Sequence, residues 1–326
     1  MLYLSREDNM ENITGVTKTQ LDLRLINEMA ETDLNNLVSF SAKKYRDEID
    51  VIANNIIYGS KRFVLLAGPS SSGKTTTSKM IAKHLNQQGK GCVTISLDDF
   101  YIDRSNTPKL ADGTYDFENF NILDLDKFNS CIQDLMSNYQ TDLPIFDFVT
   151  GSRMKENNHI EVTDKDVIVI EGTHALNPNL LRMESNLFYR VYICVYSNFQ
   201  INGQTIIPAK LLRFMRRLIR DAQSRGQGIE ETLHMWNHVC EGEDKYIKPY
   251  RVSANYLLDT THLYEPLLYH TYLEKILKES SNPYGKELYE KLQYCGYLTE
   301  DIVPDDSLLW EFLVKGSDTN KLLKWV

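Results

Sequence analysis

No stretch of this 326-residue chain approaches the ~18 uninterrupted apolar residues of a membrane-spanning helix. The first residues, with Arg6, Glu7 and Asp8 close behind Met1, hold no apolar core of a secretory signal. Cysteine is sparse: Cys92, Cys131, Cys194, Cys240 and Cys295 are odd in number, far apart and free of CxxC spacing, which argues against a disulfide framework and a zinc site. Positive charge is also in deficit, 36 Lys and Arg against 45 Asp and Glu for a net charge of −9. Broad nucleic-acid binding calls for a basic footprint, so nucleic acid is an unsuitable partner, whereas a small anionic ligand needs only a local positive cluster. There is no repeat period or low-complexity tract. These absences describe a cytoplasmic protein with neither membrane nor nucleic acid as partner, and they leave oligomeric state open, a homo-oligomer included.

The first positive signal is Gly68-Pro69-Ser70-Ser71-Ser72-Gly73-Lys74-Thr75, which fits GxxxxGK[ST] at every fixed position and follows the apolar run Phe63 to Ala67. A glycine-rich turn points successive backbone N–H groups inward around phosphates, and the helix that follows, through Thr76, presents its positive end. Lys74 adds a point charge, and the Thr75 hydroxyl suits Mg²⁺. A nucleoside triphosphate site is expected here.

Along the rest of the chain, residues 1 to 20 are polar and aperiodic and read as a loose leader. Leu37, Val38, Ser41, Tyr45, Ile49, Ile52 and Ile56 recur at helical spacing up to Gly59, a plausible C′ residue, and predict an amphipathic helix docked on the core. Strands are expected over 92–97, 166–170 and 190–196, and helices over 76–86, 123–138, 210–224, 232–246 and 265–279. Residues 103 to 121, rich in Asp, Asn, Gly and Pro, form a long loop at a strand's carboxyl end. Strands alternating with helices imply an α/β fold: a P-loop NTPase with a doubly wound, mostly parallel sheet, a helical lid and a helical N-terminal extension. The division follows as 1–60 leader and amphipathic helix, 61–280 core with the lid near 210–225, and 281–326 C-terminal helical extension.

Asp98 and Asp99 end the strand that follows the P-loop helix, where a carboxylate can accept a proton from an attacking hydroxyl; the plain alternative is that both cap a turn. Glu171 closes the apolar run Val167 to Ile170, and an acid there can hold Mg²⁺ or one of its waters. His174, a lone loop histidine, reads as structural. Arg213, Arg216, Arg217 and Arg220 fall at i, i+3, i+4 and i+7, so four guanidinium groups share one helical face, with Arg225 in the turn beyond. They read either as a solvated face or as a lid that closes on phosphates.

With those residues in hand the chain resembles the uridine kinase and phosphoribulokinase family, and more closely its bacterial uridine-kinase-like nucleoside kinase branch, over roughly residues 43 to 317. The carriers are Ala67 to Thr76, Ser96-Leu97-Asp98-Asp99-Phe100-Tyr101, Gly113-Thr114-Tyr115-Asp116-Phe117-Glu118, Pro144-Ile145-Phe146-Asp147-Phe148, Glu171-Gly172-Thr173-His174-Ala175-Leu176-Asn177-Pro178 and Arg216-Arg217-Leu218-Ile219-Arg220-Asp221. Many relatives in that branch carry a TGS and threonyl-tRNA-synthetase-like N-terminal region, where this chain has a short helical leader. The resemblance implies ATP and Mg²⁺ as cofactors, Asp98 rather than Asp99 as the base toward a nucleoside 5′-hydroxyl, and Tyr101 nearby. It puts Glu118 on the ribose hydroxyls with Asp116 in reserve, and it makes Arg217 and Arg220 lid arginines. Phe146, Phe148 and Arg153 fall in the nucleoside pocket. Phe146 and Gly151 stand where the family has Tyr and His, Met235 replaces a glutamine, and Gln227 an arginine. The pocket should therefore hold a base with few side-chain hydrogen bonds and with room at Gly151.

The expected function is phosphorylation of a ribonucleoside 5′-hydroxyl, uridine or cytidine by family default. The alternatives are a kinase of the same fold acting on another alcohol or a sugar phosphate, and a nucleotide-dependent switch that transfers nothing. The carboxylate at Asp98 argues against the switch, which needs no acceptor base.

Overall fold

In the computed structural model of the chain, residues 5–6, 19–183, 185–224 and 228–313 are described. Five strands form the central sheet: β1 (Phe63–Ala67), β2 (Cys92–Ser96), β3 (Val167–Glu171), β4 (Phe188–Cys194) and β5 (Tyr256–Asp259). They lie in the order β5-β4-β1-β3-β2, and every pair is parallel. Phe63 to Ala67 is buried throughout, because a parallel strand covered on both faces needs apolar side chains in both directions. Val64 and Leu66 face one hydrophobic cluster, and Phe63, Leu65 and Ala67 the other. From β1 the chain runs out to β2 and back to β3 on one side of β1, then crosses to β4 and β5 on the other, so a crevice opens at the carboxyl end of β1.

Eight α-helices cover the sheet among the described residues: α1 (Leu23–Thr32), α2 (Leu34–Tyr58), α3 (Lys74–Gln87), α4 (Leu125–Ser137), α5 (Ala209–Ser224), α6 (Ile229–Tyr246), α7 (Glu265–Lys278) and α8 (Pro283–Leu292). Every apolar position expected to dock α2 is buried, from Leu37 to Ile56. These side chains share one cluster with Val64, Leu66, α7 and the segment ending at Leu313. Tyr45 of α2 meets the Thr77 hydroxyl of α3 at 2.7 Å, so the N-terminal helix braces the helix that follows the glycine-rich turn. Gly59 keeps a right-handed φ of −77°, and the positive φ of 50° that turns the chain falls on Ser60 instead. The other cluster is closed by Phe128, Cys131, Ile132 and Leu135 of α4.

The loose leader is corrected in part. Thr19–Asp22 is a strand lying parallel to Asn198–Ile201 and antiparallel to Ser5–Arg6. Residues 198–201 and 204–207 form a hairpin turned at Asn202 (φ 52°) and Gly203 (φ 80°), the Asn-Gly pair that a tight hairpin favours. The C-terminal extension is helical over Pro283–Leu292, and beyond it, among the described residues, only short 3-10 turns occur, at Glu300–Ile302 and Leu308–Glu311. Residues 314–326, Arg225 and Gln227 lie outside the described residues. No helix among those described is long and apolar enough to cross a membrane.

Because α2 and the central sheet share one cluster, Ile52→Ala should lower unfolding free energy by about 2–5 kcal/mol in a single urea transition. A separate early transition with an unshifted main one would show that α2 is an independent appendage.

Candidate active site

The register of the sheet assembles the site. Glu171 pairs with Leu66 of β1 and with Ser96 of β2, so the glycine-rich turn, Glu171 and the Asp98 turn leave the sheet at one edge. The turn from Gly68 to Gly73 carries positive φ at Ser71 (59°) and Gly73 (95°), and α3 starts at Lys74. Lys74 Nζ donates to the Pro69 carbonyl at 3.1 Å. The exposed Thr75 donates its hydroxyl proton to Glu171 Oε1 at 3.0 Å. Glu171 is buried, and burial, then the charge of Asp98, push its carboxyl up to about 7 against the pull of Lys74. Among the described residues, no group of three or more His, Cys, Asp or Glu side chains could hold a metal by itself. The oxygen pair of Thr75 and Glu171 does fit a Mg²⁺ that takes its remaining ligands from phosphate and water.

The two aspartates of the 3-10 turn Leu97–Phe100 diverge. Asp98 accepts a hydrogen bond from the Tyr101 hydroxyl at 2.8 Å and is close enough to Glu171 and His174 to act on the titration of both. Asp99 instead accepts the Phe146 N–H at 3.3 Å, and burial raises its pKa. It braces the hairpin of Phe146–Asp147 and Ser152–Arg153. Tyr101, Phe146 and Phe148 form one half-buried aromatic wall, with ring centroids 5.3 to 6.2 Å apart.

Two expectations for this wall are corrected. Arg153 is not open to a ligand: its guanidinium is spent on Asp124 Oδ2 (2.9 Å) and on the carbonyls of Tyr101 and Phe100 (both 3.2 Å). It positions the backbone that carries Asp98 and Tyr101. Gly151 leaves no open room either, since a Cβ there would meet Arg104 Nε at 2.8 Å. Arg104 lies over the glycine, takes its carbonyl through the backbone N–H at 2.8 Å, and donates to the Phe148 carbonyl at 2.7 Å. Met235 is half-buried on α6.

Glu118 and Asp116 separate in the same way. Asp116 is buried and accepts from Asn119 Nδ2 and the Tyr246 hydroxyl, both at 3.0 Å, so it fixes the loop to α6. Glu118 packs against Gly242 of α6, where a Cβ would come within 2.4 Å of it. Burial and then Glu243 raise its carboxyl to about 7, and Arg217, Lys74 and Arg213 pull the other way. His174, read as structural, belongs to this group. It is 3% exposed, lies edge-on to Phe120 at 5.4 Å, and neither ring nitrogen meets a partner in good hydrogen-bond geometry. Burial holds it neutral, with a pKa near 4, between Asp98 and Lys74. Its position three residues after Glu171 at a strand end was the available signal.

The four arginines expected on one face of α5 have different partners. Arg213 is buried against Glu243 at 2.5 Å, with its guanidinium over the Trp236 ring. Arg216, wholly buried, makes two bonds to Glu265 (2.7 and 2.6 Å) and one to the Thr260 carbonyl (2.7 Å), and it lies behind the Ser71 carbonyl at 3.4 Å. Arg217 and Arg220 alone reach the front of the turn, at 3.1 and 3.4 Å from Ser70 Oγ. One carboxylate orients both: buried Asp221 holds Arg217 Nε at 3.1 Å and Arg220 Nη2 at 2.8 Å. The i, i+4 spacing of Arg217 and Asp221 was visible in the sequence, and it marks the residue missing from the expected site.

Breaking a buried pair strands a charge. Glu265→Ala should therefore cost about 3–5 kcal/mol of stability by chemical denaturation, and Arg220→Ala less, because Asp221 keeps Arg217. Equal losses would mean that the four arginines are one uniform face.

Comparison with known proteins gives the chain relatives. Residues 63–262, more than half of the chain, match the Phosphoribulokinase / Uridine kinase family. A uridine kinase from Staphylococcus haemolyticus is 26% identical over 208 residues, 64% of this chain and 88% of its own length. A uridine kinase from Saccharomyces cerevisiae is 28% identical over 196 residues, which span 59% of this chain and only 36% of the yeast protein. Among solved structures, one called a possible uridine kinase from Bacillus stearothermophilus aligns over 66% of this chain and all of its own, at 18% identity and a TM-score of 0.44. On that match the chain belongs to the phosphoribulokinase and uridine kinase family of phosphotransferases.

Proposed function

We propose that the protein transfers the γ-phosphoryl group of ATP to the 5′-hydroxyl of a ribonucleoside. The observation that carries this is the divergence of the two aspartates: Asp98 stays at the phosphate end with its carboxylate oriented by Tyr101, while Asp99 is spent on the hairpin. Asp98 takes the proton of the attacking hydroxyl, Lys74 and the lid arginines balance charge on the migrating group, and the P-loop amides hold the rest of the triphosphate. Thr75 and Glu171 would hold a Mg²⁺, which when bound would supply positive charge against the phosphates. Glu118 and the neutral His174 face the acceptor with hydrogen-bonding groups, and Tyr101, Phe146 and Phe148 stack against its base. Uridine kinases among the relatives support a nucleoside as acceptor.

With Arg153 occupied, the base meets mainly ring faces and backbone, a pocket that separates similar shapes weakly. Acceptor-stimulated ADP release should therefore appear with several ribonucleosides, with kcat/KM for uridine within about 10³-fold of the best purine. Asp98→Asn should lower kcat by on the order of 10²-fold or more, and Asp99→Asn less. ATP turnover indifferent to every alcohol tested would sink the kinase reading, and a larger loss at Asp99 would reassign the base.

Glu118 gives the site a pH signature. Its carboxyl, raised to about 7, ionises as pH rises through neutrality, and the ionised form offers two charged oxygens that accept from hydroxyls more strongly than the neutral acid. Acceptor KM should fall between pH 6 and pH 8, and Glu118→Gln should flatten the profile. A flat wild-type profile would remove Glu118 from the acceptor site.

A further inference from the structure

The first turn of α3 is the anion-binding end of the P-loop: Thr77 is the first amide to close on the turn, donating to the Gly73 carbonyl at 3.0 Å, so the amides before it point out of the helix. One of them is taken. Thr76 N–H donates to Glu311 Oε2 at 2.9 Å, across 235 residues of sequence. Glu311 is delivered by a strap that is firmly seated on both sides of it. Leu308 and Leu309 are wholly buried before it, and Phe312 and Leu313 are buried after it. Leu308 lies on Gly73, where a Cβ would meet its Cδ1 at 2.3 Å, and the Phe312 ring lies 4.9 Å from the Arg216 guanidinium. Trp310 Nε1 ties the strap to the Pro304 carbonyl at 2.8 Å. The backbone of the strap is thus fixed to the core, and the half-exposed Glu311 side chain is the part free to swing.

The geometry points to Glu311 as a built-in phosphate surrogate: its carboxylate sits on the Thr76 amide, and a nucleotide phosphate must displace it to bind. This rests on the P-loop being the nucleotide site. A carboxylate and a phosphate oxygen cannot share one N–H at a helix N-terminus, and each is favoured there by the same charge interaction. Nucleotide binding therefore competes with the Glu311 carboxylate for the Thr76 amide, which lowers affinity.

The test is calorimetric titration of the full chain with MgADP, for wild type, Glu311→Gln, Glu311→Asp and Lys74→Ala. Glu311→Gln, which keeps the shape but loses the charge, should bind about tenfold tighter. Glu311→Asp, one methylene shorter, should also bind tighter, and it carries the test if the glutamine variant does not fold. Wild-type binding that depends on Lys74 but is unchanged or weakened in both Glu311 variants overturns the surrogate and leaves the P-loop site intact. MgADP binding that is absent, or indifferent to Lys74, overturns the P-loop reading and the surrogate with it.

Discussion

Arg216 holds the glycine-rich turn from behind, and the other parts of the site are arranged around that contact. Its guanidinium joins lid helix α5 to the Ser71 carbonyl, to Thr260 at the end of β5, to Glu265 at the start of α7, and to the Phe312 ring of the C-terminal strap. A charge without solvent exposure is tolerable only when its donors are filled, and here backbone carbonyls and one carboxylate fill them. The consequence is geometric. Because Arg216 is fixed, its neighbours Arg217 and Arg220 emerge on the opposite side of the turn and share Asp221. A single helix therefore supplies both the anchor of the glycine-rich turn and the two guanidinium groups that meet Ser70.

The charges near the strand ends are in tension. Asp98, Glu171 and Glu118 converge with Lys74 and the two front arginines, and two of the three carboxylates are raised to about 7. Such an arrangement favours ligands that bring their own anions and a divalent cation, because a cation beside Glu171 restores its ionised form while the phosphates satisfy Lys74, Arg217 and Arg220. His174 contributes hydrogen-bonding capacity without charge, which lets it sit among these groups at little electrostatic cost.

Much of this was legible in the sequence where the signal is local. The glycine-rich turn, the apolar strand before it and the docking face of α2 each follow from spacing within a few turns of chain. The Asn202-Gly203 hairpin was equally local, and was missed because its strands are only four residues long. Strand β5 was missed for the same reason. Other failures have a different cause. That Arg153 is occupied, that Arg104 covers Gly151, that Asp116 and Glu118 part company and that Glu311 reaches Thr76 all depend on pairs separated by tens to hundreds of residues, which no periodicity reports. The four arginines show the limit most clearly: helical spacing put them on one broad face, all four are buried, and their partners then divide them, Arg213 and Arg216 on Glu243 and Glu265, Arg217 and Arg220 on Asp221 and Ser70.

The central claim is that Asp98 and the P-loop together move a phosphoryl group onto an alcohol of bound nucleoside. Phosphorus NMR of the wild-type protein with MgATP and a ribonucleoside tests it most directly. The account predicts loss of the γ-phosphate resonance in step with growth of a 5′-phosphomonoester signal coupled to the two 5′ protons. Growth of inorganic phosphate alone, or of an ester at another hydroxyl, would contradict it.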